Sequence, residues 1–312
     1  MSVAVAPQQP SATERPAARL RAGRSRQDLV PALLFLLPAA FGFVTFYAWP
    51  ALRTFYLSFT DYSLLAPPEW VGVQNYAEVL GDRRFWKSLT VTLEYVVINI
   101  GVQTVVALAL AVLMHRLTKS TLIRGVLLLP YLVANVVVAL VWYTMLDAQL
   151  GIVNSGLELV GLDPVAFFGE TSTAIPTIAL VNVWRHMGYT ALLIFAGLQS
   201  IPSSVYEAAA IDGASEWRIF WRITMPLLRP VLVLVLVLTV IGSFQIFDTV
   251  AVTTKGGPID STRVIYYYIY EKAFQQFDFG YAAALCVVLF VILAGVALAQ
   301  VKILRAGDSD LD

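Results

Sequence analysis

The sequence predicts an all-α integral membrane protein with six transmembrane helices, and three observations lead there. The 312 residues are 58% hydrophobic and only 13% charged, with a mean hydropathy of +0.73. Charged residues make up about a quarter of an ordinary soluble domain, so half that share points to a chain solvated largely by lipid. Six apolar runs, at 30–50, 89–114, 125–147, 174–200, 231–252 and 281–301, are each long enough to cross a hydrocarbon core, which takes about 20 helical residues. Basic residues also alternate between the intervening segments, as cytoplasmic enrichment in Lys and Arg requires.

With the N-terminus inside, the inner segments hold thirteen basic residues: Arg15, Arg19, Arg21, Arg24, Arg26, Arg116, Lys119, Arg124, Arg218, Arg222, Arg229, Lys302 and Arg305. The outer segments hold seven: Arg53, Arg83, Arg84, Lys87, Lys255, Arg263 and Lys272. Both termini and the 201–230 segment are therefore expected in the cytoplasm. Residues 1–28 are rich in Ala, Pro and Arg without apolar periodicity, and read as a disordered basic cytoplasmic tail. A cleaved signal peptide is the competing reading, but tail and apolar run are both too long for one, and no A-x-A-like site follows promptly. The membrane domain is expected over 29–305, with a short cytoplasmic tail at 306–312.

Several function classes fall away on composition. Zero net charge argues against a nucleic-acid partner. One cysteine, Cys286, and two distant histidines, His115 and His186, make a zinc site improbable. No GxxxxGK[ST] loop is present to cradle ATP phosphates. No nucleophile–base constellation marks an enzyme. An ion-coupled secondary transporter would be expected to show inverted repeats, broken helices and paired intramembrane carboxylates; the spans hold few acids, and no repeat of 20–50 residues is visible.

The polar insert between the fourth and fifth runs is the most informative stretch. Pro202 stops the fourth span, and Ser204 to Glu207 fits a capping box. Ala208, Ala209 and Ala210 extend a short helix of high propensity. Asp212-Gly213 ends it, with Gly213 suited to the positive φ of a helix C-terminal cap. Ser215 opens a second helix that places Trp217, Phe220 and Trp221 on one face and Arg218 and Arg222 on another. Pro226 and Pro230 are expected to break or redirect the chain into the fifth span. Such an elbow is either an interfacial helix-turn-helix anchored by Trp or a docking element; spacing alone leaves both open.

The residues Glu207, Ala208, Ala209, Asp212, Gly213, Ala214, Phe220, Ile223, Pro226 and Pro230 fill the pattern EAAxxDGAxxxxxFxxIxxPxxxP at all ten positions. This resembles the EAA loop of permease subunits of binding-protein-dependent ABC importers. Two further elements narrow the resemblance to carbohydrate-type permeases of the maltose and glycerol-phosphate type. Val71 to Tyr76 is similar to their GLxNY element, and Thr254 to Pro258 with Ser261-Thr262 to their TxGGPxxxST element. The stretch Tyr268 to Ala284 resembles the approach to their last span. Each also has a plain physical reading: Gly256-Gly257-Pro258 is a tight turn, and Gly280 with its alanines lets helices approach closely.

The resemblance implies a type I ABC importer permease fold in a bacterial or archaeal cytoplasmic membrane, and a non-catalytic role. It implies a second homologous permease, a cytoplasmic ATP-binding subunit dimer that holds ATP and Mg, an extracytoplasmic substrate-binding protein and a sugar, oligosaccharide or sugar phosphate as solute. A polyamine, phosphate or amino-acid permease is the alternative within the class. No cofactor is expected in this chain itself. The short helix of the elbow would be the coupling helix seated on the ATPase, with Glu207, Ala208, Ala209, Asp212, Gly213, Ala214, Phe220, Ile223 and Pro226 as its residues.

Polar residues inside spans are costly and point to functional sites. In the fourth span Asn182, Arg185, His186 and Tyr189 recur at i, i+3, i+4 and i+7. Arg185 lies about 16 Å into that run, near the midplane. In the fifth span Thr239, Gly242, Ser243 and Ile246 share the spacing. Two such stripes facing one another would form a polar pocket for sugar hydroxyls, with Tyr189 or Phe244 covering the apolar face of the ring. The resemblance implies the same region, since in related sugar permeases the site likewise lies near mid-membrane on the fourth and fifth core helices. Arg185 and His186 could favour a phosphorylated or acidic solute; alternatively they pair with Asp248, Glu94 or a partner permease and only pack the bundle. The apolar third span, with Val136, Val137, Val138 and Val141, is expected to pack against lipid or bundle.

The coupling reading has a direct test. Gly213→Pro and Glu207→Lys are expected to abolish solute uptake while the complex still reaches the membrane; normal uptake by both variants would remove the docking role.

Overall fold

A computed structural model describes residues 26–117 and 120–303. The expected tail 306–312, Arg15, Arg19, Arg21, Arg24, Lys119 and Arg305 lie outside these residues, as does most of the tail 1–28. Helix α1 (Arg26–Phe43) begins inside that expected tail; apolar patterning does not locate a helix end to within a few residues.

The chain divides into two compact units, one ending at Leu52 and one starting at Arg53. In the first, α1 runs through a π-turn over Val44–Ala48 into the start of α2 (Trp49–Leu57), whose residues from Arg53 onward belong to the second. Pro50 has no N–H for a regular helical bond, and the turn before it widens so that the Trp49 N–H reaches the Val44 carbonyl. The stretch Leu34–Leu57 is long and apolar enough to cross a membrane.

The second unit opens with a two-stranded antiparallel ribbon of β1 (Thr60–Asp61) and β2 (Glu69–Trp70), followed by α3 (Gln74–Gly81). Asn75 locks ribbon to helix by donating to the carbonyls of Ser58 and Thr60, each at 3.0 Å. The Tyr76 hydroxyl lies 2.6 Å from Ser58 Oγ. The GLxNY-like element is thus an internal clasp.

Helices α4 (Arg83–Leu117), α8 (Ala174–Gln199), α11 (Met225–Phe244) and α14 (Phe279–Ile303) supply the long rods. The α8 span is the central one, with 56% of its most apolar window buried against 28% for α4 and α14. Among the described residues five helices are long and apolar enough to cross a membrane, or six if one bent pair counts as a single span.

That bent pair corrects the expected third span. Residues 125–147 do not form one helix: α5 (Thr121–Leu132) and α6 (Asn135–Met145) meet at 90°. Val133 and Ala134 are extended between them, and Asn135 donates to Asp248 Oδ2 at 2.8 Å, which ties α6 to α12 (Asp248–Val252). Of the valines expected on lipid or bundle, Val138 is buried and Val136, Val137 and Val141 are exposed.

The connections before α8 and before α14 carry α7 (Ile152–Leu159) and α13 (Ile265–Tyr270), the latter ending in a π-turn over Glu271–Gln275. In the GGP loop the Thr262 hydroxyl donates to the Gly257 carbonyl and meets the Thr254 hydroxyl, both at 2.7 Å. Arg263 bridges Asp260 and Glu271, each at 2.7 Å. Asp82, between α3 and α4, accepts hydrogen bonds from Tyr268 and Tyr281 and from the Arg84 N–H. Burial alone would raise its pKa, but these bonds outweigh it and hold the carboxyl below the ordinary carboxylate range.

Two large apolar clusters and a smaller one around Val138, Leu146 and Val181 fill the bundle. One of the large clusters gathers Phe85, Tyr95, Ile178, Phe244, Tyr268 and Leu285; the other gathers Ala107, Ala111, Ile194, Leu198 and Leu228. Close helix contact supports them. A Cβ built on Gly188 would lie 1.8 Å from the Leu127 carbonyl oxygen, so α5 and α8 touch backbone to backbone. Gly188→Ala is therefore expected to force the pair apart at a cost of about 1–3 kcal/mol or more, lowering the thermal midpoint of the detergent-solubilised protein. Gly101→Ala, which meets open space, serves as the control; equal midpoints for the two would refute the contact.

Candidate functional site

The site forms where the two apolar clusters leave a gap. A cavity of about 170 Å³ lies between α4, α8 and α11. From α8 it takes Asn182, His186, Tyr189 and Thr190, and from α11 Thr239, Gly242 and Ser243. Six of the eight residues expected at a solute pocket therefore face one space.

Two do not. Ile246 is buried in the apolar cluster beyond the end of α11, because that helix stops at Phe244 and the stripe loses its register. Phe244, offered as a ring cover, is buried there too. Arg185 turns away to the break in the third span. Its Nη2 donates to the Tyr131 and Val133 carbonyls, each at 2.9 Å, and Nε to Val133 at 3.2 Å. Carbonyls at a helix C-terminus lack intrahelical donors, and a guanidinium meets several of them at once. Arg185 makes no salt bridge with Asp248 or Glu94 among the described residues, so the alternative of intrachain ion pairing is replaced by helix capping.

The cavity also contains residues that the stripes of the fourth and fifth runs did not include. Tyr95, Asn99 and Gln103 line it from α4, and Tyr131 from α5. Asn99 Nδ2 donates to Ser243 Oγ at 2.8 Å and to Gln103 Oε1 at 3.2 Å, and Gln103 Nε2 donates to Thr190 Oγ1 at 2.8 Å. One polar chain therefore crosses α11, α4 and α8. Tyr95, Asn99 and Gln103 stand four apart in the second run, a stripe that the cost of intramembrane polar groups could have flagged. Tyr131 stacks on Tyr189 at 4.4 Å with the rings 10° apart.

The polar elbow sits at the far end of α11. Helix α9 (Ser203–Ile211) starts after Pro202 with no side-chain cap. This corrects the capping box: Ser204 is already inside the helix, because extended Pro202 is the N-cap and places the start two residues earlier. The other end follows expectation. Gly213 has φ +71°, with Ala214 N–H on the Ala209 carbonyl at 3.0 Å and Gly213 N–H on Ala210 at 3.1 Å, the paired bonds of a Schellman cap. Ser215 accepts from the Arg218 N–H at the start of α10 (Glu216–Ile219).

Pro226 and Pro230 do not break the chain. From α10 it passes through a π-turn over Phe220–Thr224 directly into α11, with Met225 N–H bonded to the Phe220 carbonyl. Pro226 falls just after the π-turn, whose wider winding accommodates its ring and missing N–H. Glu207, Ala208, Asp212 and Gly213 are exposed, Ala209 is buried, and Ala214, Phe220 and Ile223 are half-buried. A 2.6 Å salt bridge from Arg116 to Glu216 ties the elbow to α4, and Thr224 Oγ1 lies 3.4 Å from the Tyr206 hydroxyl. Trp217, Phe220 and Trp221 form one aromatic cluster.

A lipid-facing helical bundle with a mid-bundle polar cavity, and an exposed capped elbow continuous with one of the cavity's walls, defines a membrane permease of the type I importer fold. The chain belongs to the family described as binding-protein-dependent transport system inner membrane component, which matches residues 103–304. It is 34% identical to the probable ABC transporter permease protein YesP of Bacillus subtilis, over 89% of this chain and 91% of that protein. It is 32% identical to the trehalose/maltose transport system permease protein MalF of Thermococcus litoralis, over 87% and 92%. Identity to the sulfoquinovosyl glycerol transport system permease protein SmoG of Agrobacterium fabrum is 33%, over 90% and 92%. A solved bacterial alginate ABC transporter, in complex with alginate pentasaccharide-bound periplasmic protein, contains a chain of the same fold. Its TM-score is 0.78 at 23% identity, over 90% of this chain and 95% of that one.

Arg185 generates a stability prediction. Arg185→Ala leaves the Tyr131 and Val133 carbonyls without their donor, a loss of about 1–3 kcal/mol. The thermal midpoint of the solubilised protein is expected to fall accordingly; an unchanged midpoint would show that the guanidinium does not hold the break.

Proposed function

We propose that this chain is one permease subunit of an ATP-driven importer for a sugar or oligosaccharide and forms half of its translocation pathway. The observation that carries the reading is the pairing of the neutral, hydroxyl- and amide-lined cavity with the EAA-type elbow on one continuous helix. The names of its relatives, which include trehalose/maltose and sulfoquinovosyl glycerol systems, support the carbohydrate class. The membrane domain spans 29–305 in a bacterial or archaeal cytoplasmic membrane, with both termini and the 201–230 elbow inside, as the basic residues favour.

The subunit is non-catalytic; ATP and Mg are bound by a cytoplasmic ATPase dimer that contacts Glu207, Ala208, Asp212 and Gly213 on the exposed side of the elbow. A second, homologous permease supplies the other half of the pathway, and an extracytoplasmic binding protein delivers the solute. Closure of the ATPase dimer moves the elbows together, and the cavity turns outward between two packed states. The cavity lined by Asn182, His186, Tyr189, Thr239, Gly242 and Ser243 then receives the solute, with the hydroxyls of Tyr189, Thr239 and Ser243 presented to sugar hydroxyls and the Tyr131–Tyr189 stack flanking the ring.

Reconstitution of the full set of subunits in proteoliposomes tests this. Labelled maltose or trehalose is expected to accumulate only with ATP and with every partner present. Accumulation by this chain alone, without nucleotide, would sink the reading.

A further inference from the structure

We infer that Arg116 of α4 and Glu216 of α10 are positioning residues for energy coupling: their ion pair carries the movement of the elbow into α4, a wall of the cavity other than α11. The inference rests on the ATP-driven reading above, in which the elbow receives the stroke. It adds a path that the rod from α10 into α11 does not supply.

Placement comes first. Arg116 lies in the last turn of α4 and Glu216 in the first turn of α10, and they meet at 2.6 Å. One partner thus belongs to a cavity wall and the other to the elbow. From Arg116 the single helix α4 runs back through Gln103 and Asn99. Their amides donate to Thr190 of α8 and Ser243 of α11. A displacement of the inner end of α4 therefore reaches the polar run at the middle of the bundle.

The surroundings of the contact give it its importance. Deeper in the bundle α4 and α11 share an apolar cluster that includes Ala107, Ala111, Leu228 and Val235. That packing does not continue to the elbow. Cavities of about 430 and 480 Å³ lie beside the bridge, and Arg116, Glu216 and Phe220 line both. Close-packed side chains transmit a displacement and voids do not. The ion pair is what spans this gap between α4 and α10.

Glu216 also has leverage. It stands about 18 Å beyond Leu228 along the rod, at the helical rise. A rod held at one level pivots there; a tie near its far end turns the pivot into a brace. The strength of the tie suits this role. The side chains are 48% and 79% exposed, and such a pair shifts an equilibrium by no more than about fivefold. That is too little to hold the fold together and enough to bias the position of a lever.

The test uses the whole reconstituted importer with labelled maltose or trehalose, and reads solute moved per ATP hydrolysed. Glu216→Lys and Arg116→Glu are each expected to lower that ratio about three- to fivefold, with the assembled complex recovered in normal amount. Combining Arg116→Glu with Glu216→Arg restores opposed charges and is expected to return the ratio to within about twofold of the unsubstituted importer. A ratio unchanged by both single reversals overturns the inference and leaves the ATP-driven reading standing. A parallel fall in uptake and hydrolysis overturns it too, by assigning the pair to assembly. A loss that the exchanged pair does not repair overturns it by assigning these residues to a contact with another subunit. If a reversal fails to assemble, Glu216→Gln and Arg116→Gln remove the pair more gently and are read by the same ratio. No ATP-dependent uptake by the unsubstituted importer overturns both the inference and the reading beneath it.

Discussion

Hydrocarbon offers no hydrogen bonds, so every polar group placed at membrane depth must find its partner within the protein or in what the protein carries. In this chain that constraint organises the second unit. Four of its intramembrane amides and hydroxyls are joined across three helices in the run Ser243–Asn99–Gln103–Thr190.

The same constraint explains the broken third span. A helix that ends inside a membrane leaves carbonyls without donors, and such an end persists only where other groups meet them. Arg185 does so for α5, and the Asn135–Asp248 bond secures the start of α6. A charge that resembles a solute ligand in the sequence is thereby a structural element. Its long side chain reaches the break 52 residues upstream rather than the space its neighbours face.

How much was legible follows from which forces are local. Hydropathy located the rods, and the period of α8 and α11 located six cavity residues, because one face of a helix is set by the chain's own geometry. The cap at Gly213 was legible for the same reason: positive φ is a property of one residue. The break at Val133–Ala134 was not, since neither residue disfavours a helix and the cause is tertiary. Pro226 misled because a π-turn absorbed it, and Ser204 because Pro202 had already begun the helix. Asn99 and Gln103 are legible in principle as an i, i+4 polar pair in an apolar run, but they carry no charge to mark them. Ile246 shows the limit of periodicity: the helical period continues on paper past Phe244, where the helix itself stops.

The π-turn over Phe220–Thr224 has a mechanical consequence. Because α10, the turn and α11 form one uninterrupted rod from Glu216 to Phe244, no flexible joint separates Trp217 of the elbow from Thr239, about 33 Å away at the helical rise. The one extra residue in that turn sets the azimuth of everything beyond it, by about 100° relative to an unbroken α-helix. The angular phase between the aromatic face at Trp217 and the cavity wall at Ser243 is thus indexed by a single inserted residue, as the keyway of a shaft fixes the angle between two gears.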